Sequence, residues 1–155
     1  MPDKHFHTKK HDVWLPYRFS AGPVFERFFE GLKAGKILGN RCPRCERVLV
    51  PARTFCPRCY VDMGQWVEVS QEGRLVTWTM STEPFFGMRT DLPYVAGLIH
   101  LDGTNCNFMH LLGGFETMDI EAVRERLKGS VRVRAVWREE REGDMLDIKY
   151  FEPAD

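Results

Sequence analysis

Four cysteines carry the most legible chemistry in this chain. Cys42 and Cys45 form one C-x2-C pair, Cys56 and Cys59 form another, and ten residues separate the pairs. Each pair sits in the tetrapeptide Cys-Pro-Arg-Cys. Two short-range pairs of soft thiolates, brought together by a hairpin, make a tetrahedral S4 site of the kind zinc prefers, with Zn–S distances of about 2.3 Å. Iron held by the same ligands is the alternative. With all four positions filled by protein, the metal is expected to be structural, leaving no place for a water nucleophile. Competing uses of these cysteines fit less well. Paired disulfides suit an exported chain, but Met1–Lys10 is polar and charged and has no apolar h-region. A redox C-x2-C expects one pair in a βαβ setting. Haem attachment needs a histidine after the second cysteine, where Glu46 and Tyr60 stand.

The fifth cysteine, Cys106, would be the nucleophile if the chain had one. His110 lies four residues on. In a strand that spacing separates the two by about 13 Å, beyond hydrogen-bond reach. Cys106 therefore reads as a small, half-buried hydrophobe, and His100 as a surface or barrel-end residue. No P-loop, dinucleotide fingerprint or Ser/His/Asp arrangement is present. No catalytic residue is expected.

Charge divides the chain. The net charge is zero, but residues 1–60 hold 12 Lys+Arg against 5 Asp+Glu (+7), and residues 61–155 hold 10 against 17 (−7). This suggests two modules with different surfaces. Part of the positive charge has a local cause. Four thiolates on Zn2+ leave a −2 centre, and Arg41, Arg44, Arg47, Arg53 and Arg58 lie near it in sequence. No run approaches the ~20 apolar residues of a membrane span, so a cytoplasmic protein is expected.

The elements that position the cysteines can be read on either side. Residues 1–22 carry His5, His7, His11, Phe6, Trp14, Tyr17 and Phe19 with no period. An arm ordered on a partner is the preferred reading, a disordered tail the alternative. Pro23 and Gly35 bracket a helix. Val24, Phe25, Phe28, Phe29 and Leu32 share one face of it. Phe25, Phe28 and Phe29 form a large stripe for which a ribbon of about 28 residues offers little cover, so they are expected to bind a partner, with packing on their own domain as the alternative. The ribbon runs over 37–65, with Val48–Val50 a short strand. Trp66–Ser81 reads as a long strand bent at Gly73, Pro93–Leu101 as a second and Asn105–Leu112 as a third, with a turn at Asp102-Gly103. A short helix is expected at Asp119–Lys128, then strands at Val131–Arg138 and Met145–Phe151. A helix between the third and fourth of five strands is the layout of an OB-fold barrel. The expected class is mainly β with a little α, divided into an arm and helix (1–36), a zinc ribbon (37–65) and a barrel (66–153).

This order resembles one family, the small zinc-ribbon plus OB-fold proteins associated with thiolases and other acyl-CoA enzymes, long labelled a domain of unknown function. The residues that carry the resemblance are Phe28-Phe29-Glu30-Gly31-Leu32, Cys42-Pro43-Arg44-Cys45, Pro51 through Cys59, Trp66 through Ser70, Gly73 with Val76–Thr79, Pro93-Tyr94-Val95-Ala96 and Tyr150-Phe151-Glu152-Pro153. They span roughly 24–153. The chain departs from the family at Glu46 and Tyr60, where glycine is usual because the turn wants φ > 0. The resemblance implies a non-catalytic, zinc-containing accessory subunit in a hetero-oligomer with a thiolase-type acyltransferase. One subgroup acts in anaerobic aromatic degradation, including cleavage of 2-benzoylsuccinyl-CoA. It also implies contact with a coenzyme A thioester held by the partner. The Phe85-Phe86-Gly87-Met88-Arg89 segment, between the first two barrel strands where OB-folds commonly bind ligands, is the candidate, through Phe85, Phe86 and Arg89.

Two other functions compete. Zinc ribbons and OB-folds also bind nucleic acid through basic grooves and aromatic platforms, but a barrel half at −7 opposes a polyanion. Stand-alone acyl-CoA binding, with Arg89 or Arg53 meeting phosphates, is compatible with the partner reading.

Overall fold

The computed structural model describes residues 17–84 and 91–154. Phe85, Phe86 and Arg89 lie outside the described residues, as does most of the N-terminal arm. Helix α1 spans Gly22–Lys33, opens with proline in its first turn and is followed by Gly35 at φ +73°. That left-handed conformation is one a side chain with Cβ resists, so the helix stops there.

Three short strands follow as a sheet. These are β1 (Leu38–Arg41), β2 (Val48–Leu49) and β3 (Gln65–Glu68), in the order β2-β1-β3. The sequence suggested one long strand over Trp66–Ser81. Instead, Trp66 pairs with Asn40 and Glu68 with Leu38 of β1, so this stretch completes the ribbon. The barrel begins at β4 (Glu72–Ser81). It continues with β5 (Tyr94–Leu101), β6 (Phe108–Leu112), helix α2 (Ile120–Arg126), β7 (Arg132–Trp137) and β8 (Ile148–Ala154). The strands close in the order β4-β5-β6-β8-β7, the five-stranded OB-fold barrel expected. Residues Met145–Asp147, read from sequence as the start of the last strand, form a 3-10 turn. The Asp147 carboxylate accepts N–H bonds from Glu142, Gly143 and Asp144, which favours the turn over an extended chain.

Gly73 is needed at the barrel seam. Here β4 pairs with β5 on one side and β7 on the other. A Cβ at this position would lie 2.4 Å from the His100 carbonyl oxygen. On β5, Val95, Ile99 and Leu101 point inward and are buried, as period-2 alternation requires.

One apolar core joins all the parts. Phe28 and Leu32 of α1, Ile37, Val48, Val50 and Ala52 of the ribbon, and Ile99, Val133, Ile148 and Phe151 of the barrel belong to one buried cluster. Polar ties reinforce the junction. Gln71 donates to the Gly35 carbonyl at 2.9 Å and accepts from the Trp137 indole at 2.7 Å. The Arg27 guanidinium sits 4.6 Å from the centre of the Trp66 ring.

This corrects the reading of the phenylalanine stripe. Phe28 has no exposed surface, so it is a core residue and not a partner contact. Its cover comes from the barrel as well as the ribbon. Phe29 is half-buried against the same cluster, and Phe25 remains 40% exposed.

Candidate metal centre

The two Cys-Pro-Arg-Cys turns adopt the same backbone. In the first, Cys42 N–H donates to the Arg47 carbonyl at 2.9 Å and Glu46 N–H to the Cys42 carbonyl at 3.0 Å. In the second, Cys56 N–H donates to the Val61 carbonyl at 2.8 Å and Tyr60 N–H to the Cys56 carbonyl at 2.9 Å. Each turn closes through one residue in the left-handed region, Glu46 at φ 59° and Tyr60 at φ 55°. These are the positions where the sequence departs from glycine. The turns keep their form at a conformational cost of about 1–2 kcal/mol each.

The four sulfurs converge. All lie within 4.8 Å of one another, with Cys42 and Cys56 buried and Cys45 and Cys59 half-buried. Cys45 Sγ and Cys56 Sγ are 3.8 Å apart. A tetrahedron with metal–sulfur bonds of about 2.3 Å has edges of about 3.8 Å, so the donor set fits zinc in size as well as in softness. Backbone N–H groups of Arg44 and Cys45 point at Cys42 Sγ, both at 3.4 Å. Burial raises the Cys42 thiol, but these bonds outweigh it and bring it down to about 6. Burial and the neighbouring sulfurs push Cys59 up to about 12. Four thiolates this close repel one another, and a divalent cation removes that repulsion. Zinc here would be held by Cys42, Cys45, Cys56 and Cys59 and would fix the two turns as one unit.

Around the centre the ribbon is fastened at two further places. Buried Asn40 on β1 donates from Nδ2 to the Arg53 carbonyl at 2.6 Å and accepts Arg53 N–H at 3.1 Å. The outer edge of β2 is covered by the barrel's β5–β6 connection. Val48 N–H donates to Asn105 Oδ1 and Asn105 N–H to the Val48 carbonyl, both at 2.9 Å. Val50 N–H donates to Cys106 Sγ at 3.1 Å, and the Cys106 thiol donates to the Val50 carbonyl at 3.3 Å. Cys106 is therefore a clasp between barrel and ribbon. It stands before β6, not in it, and its thiol is engaged by backbone on both sides. His110, on β6, is buried between Phe108 and Phe151. Its Nε2 donates to the Met145 carbonyl at 2.9 Å, and its Nδ1 has no partner. Burial holds its imidazole below the ordinary range. His100 is exposed and bonds Asn107.

Sequence reading missed a groove beside the centre. Phe25, Pro51, Arg53, Thr54, Phe55 and Pro57 line a cleft of about 300 Å³ between α1 and the second cysteine turn. The adjacency of Phe55 to Cys56 was the available signal, because a residue beside a metal ligand is held in place. Its partner across the groove, Phe25, is 30 residues away and only the fold brings the two together.

Comparison with known proteins agrees with both halves. The rubredoxin-like zinc ribbon domain of ChsH2 matches residues 29–63, and the C-terminal OB-fold domain of ChsH2 matches residues 66–138. A DUF35 domain-containing scaffold protein of Pyrococcus furiosus is 28% identical over 109 residues, 70% of this chain and 74% of the relative. A DUF35-family protein of unknown function from Sulfolobus solfataricus, solved by crystallography, aligns with a TM-score of 0.55 at 26% identity, covering 74% of this chain and 78% of that one. A chain of the Ltp2-ChsH2(DUF35) aldolase aligns with a TM-score of 0.64 over 89% of this chain and all of that one. At 22% identity that likeness is one of fold. With ribbon and barrel matched in the same order and joined by one core, the chain belongs to the ChsH2-type DUF35 family of zinc-ribbon and OB-fold proteins.

Proposed function

We propose that this chain is a non-catalytic, zinc-stabilised accessory subunit of an acyl-CoA-processing enzyme, with a thiolase-type acyltransferase as its partner. The observation that carries the reading is the placement of the five cysteines. Four converge on one closed centre, and the fifth is clasped by the Val50 backbone. None is left in the pose of a nucleophile beside a base. Relatives lend support through their names, one a scaffold protein and one part of a complex called an aldolase. Aromatic degradation such as 2-benzoylsuccinyl-CoA cleavage is the substrate setting we favour, on the resemblance of the sequence. The Phe85–Arg89 segment is the part we assign to the partner's acyl-CoA site. No described helix is long and apolar enough to cross a membrane.

The test is co-purification of tagged full-length chain from its source, followed by acyl-CoA turnover assays. The expected result is a second subunit of thiolase type, with turnover only when both are present. Cys106→Ala should keep most of that turnover. A loss above ~100-fold with the complex intact, equal to about 2.7 kcal/mol of barrier, would make Cys106 catalytic. Turnover by the chain alone would end the proposal.

A further inference from the structure

Apolar surface and unpaired positive charge coincide at the groove beside the metal centre. Phe25 and Phe55 keep 40% and 53% of their surface exposed. With Pro51, Thr54 and Pro57 they form the walls, and Arg53 stands among them. Among the described residues, none of Arg44, Arg47, Arg53 and Arg58 has a carboxylate within ion-pair distance.

The walls are also stiff. Asn40 holds the Arg53 backbone from both sides, two prolines fix φ at positions 51 and 57, and Cys56 between the wall residues Phe55 and Pro57 belongs to the metal centre. A preformed site loses little conformational freedom when it is filled. Aromatic and arginine side chains around a small pocket are the composition of interface hot spots.

From these observations we infer that the groove receives a segment of a partner protein bearing one large apolar side chain flanked by aspartate or glutamate. The apolar side chain lies between Phe25 and Phe55, and a flanking carboxylate meets Arg53. A second copy of this chain is an outcome the test below separates, although five of its carboxylates (Asp102, Glu72, Glu152, Glu121 and Glu125) already pair with cations of their own barrel. A nucleic acid is disfavoured by the acidic barrel half. The inference rests on the partner reading above only in requiring a protein partner.

The experiment places a photo-crosslinking phenylalanine analogue at position 55 of the full chain in its source cells, with the same analogue at exposed Met109 on the barrel as control. Crosslinked peptides are sequenced. The expected adduct at position 55 is a segment of another protein with an apolar residue flanked by Asp or Glu, at least tenfold above the Met109 control. Phe55→Ala and Arg53→Glu should each reduce retention of that protein at least tenfold, with zinc content and thermal unfolding unchanged. Retention of wild type should weaken as salt rises. No adduct at position 55, an adduct to this chain itself, to nucleic acid or only to a coenzyme A derivative, or a lysine-flanked peptide would each overturn the inference. If the peptide is acidic and apolar but its protein does not process acyl-CoA, the groove assignment stands and the function proposed above fails.

Discussion

Ribbon and barrel solve the same problem in opposite ways. The barrel holds itself by closure. Each of its five strands has hydrogen-bonded neighbours on both sides, and several of its acidic groups find cations within the same barrel. Arg132 meets Asp102 at 2.6 Å and Glu72 at 3.3 Å, and holds the Asp102 carboxyl below the usual range. Arg134 meets Glu152 at 2.7 Å. The ribbon has three short strands, and its own small cluster is built from Cys42, Leu49, Cys56 and Met63. It relies on its cysteine centre, on Asn40 and on cover from the barrel, and among the described residues Arg44, Arg47, Arg53 and Arg58 meet no carboxylate. A region closed on itself by strand pairing leaves no open sheet edge for a partner to use. A region that leaves cations and aromatics exposed has capacity for a partner.

The sharpest way to break this comparison is to remove the metal. Cys56→Ser, or a strong chelator, should unfold the ribbon, because zinc binding in such modules contributes about 10–16 kcal/mol of apparent folding energy. Hydrogen exchange should show ribbon amides, including Cys42, Glu46 and Tyr60, losing protection. Those of β7 and β8 should remain protected with a lowered Tm. Metal affinity should fall as pH drops, since each cysteine must lose its proton to bind. Elemental analysis finding neither zinc nor iron in folded protein would refute the centre.

Next is the helix that bridges the two regions. Phe28→Ala should cost about 3–5 kcal/mol in denaturant unfolding, whereas Phe25→Ala should cost under about 1 kcal/mol. Equal effects at the two positions would show that Phe28 is not core.

The barrel has its own acid weakness. The folded pKa of His110 is lowered by burial, so the native ring is neutral while the unfolded ring takes a proton near pH 6.5. Stability is full above that value and declines as pH falls below it, by up to about 1.4 kcal/mol per pH unit. His110→Phe should flatten that part of the stability profile. The decline at lower pH from Asp102 and other carboxylates should remain. An unchanged slope between pH 6.5 and 5 would remove His110 from the account.

The smallest effect expected is at the cysteine turns. Glu46→Gly or Tyr60→Gly should raise ribbon stability by up to about 1 kcal/mol, the relief at φ > 0 being reduced by the entropy glycine loses on folding. A loss of stability in the metal-bound protein would mean that these side chains make contacts of their own.

Much of this was readable because it is local. Two C-x2-C pairs fix the ligands, Pro23 and Gly35 bracket the first helix, and the order of strands around one late helix names the barrel. The glycine departures at Glu46 and Tyr60 pointed to the two non-glycine residues that, among the described residues, sit at positive φ. What sequence could not settle depended on contacts between distant residues. Periodicity puts Phe25, Phe28 and Phe29 on one helix face but cannot say what covers that face. The barrel and ribbon together bury Phe28 and leave Phe25 at the rim of a groove. Alternation marks Trp66–Glu68 as a strand, but pairing with β1 makes it part of the ribbon. Cys106 looks like an idle small hydrophobe until Val50, 56 residues earlier, supplies its N–H and carbonyl. Backbone groups carry no sequence signature for the partner they will meet, so only the tertiary structure could assign these roles.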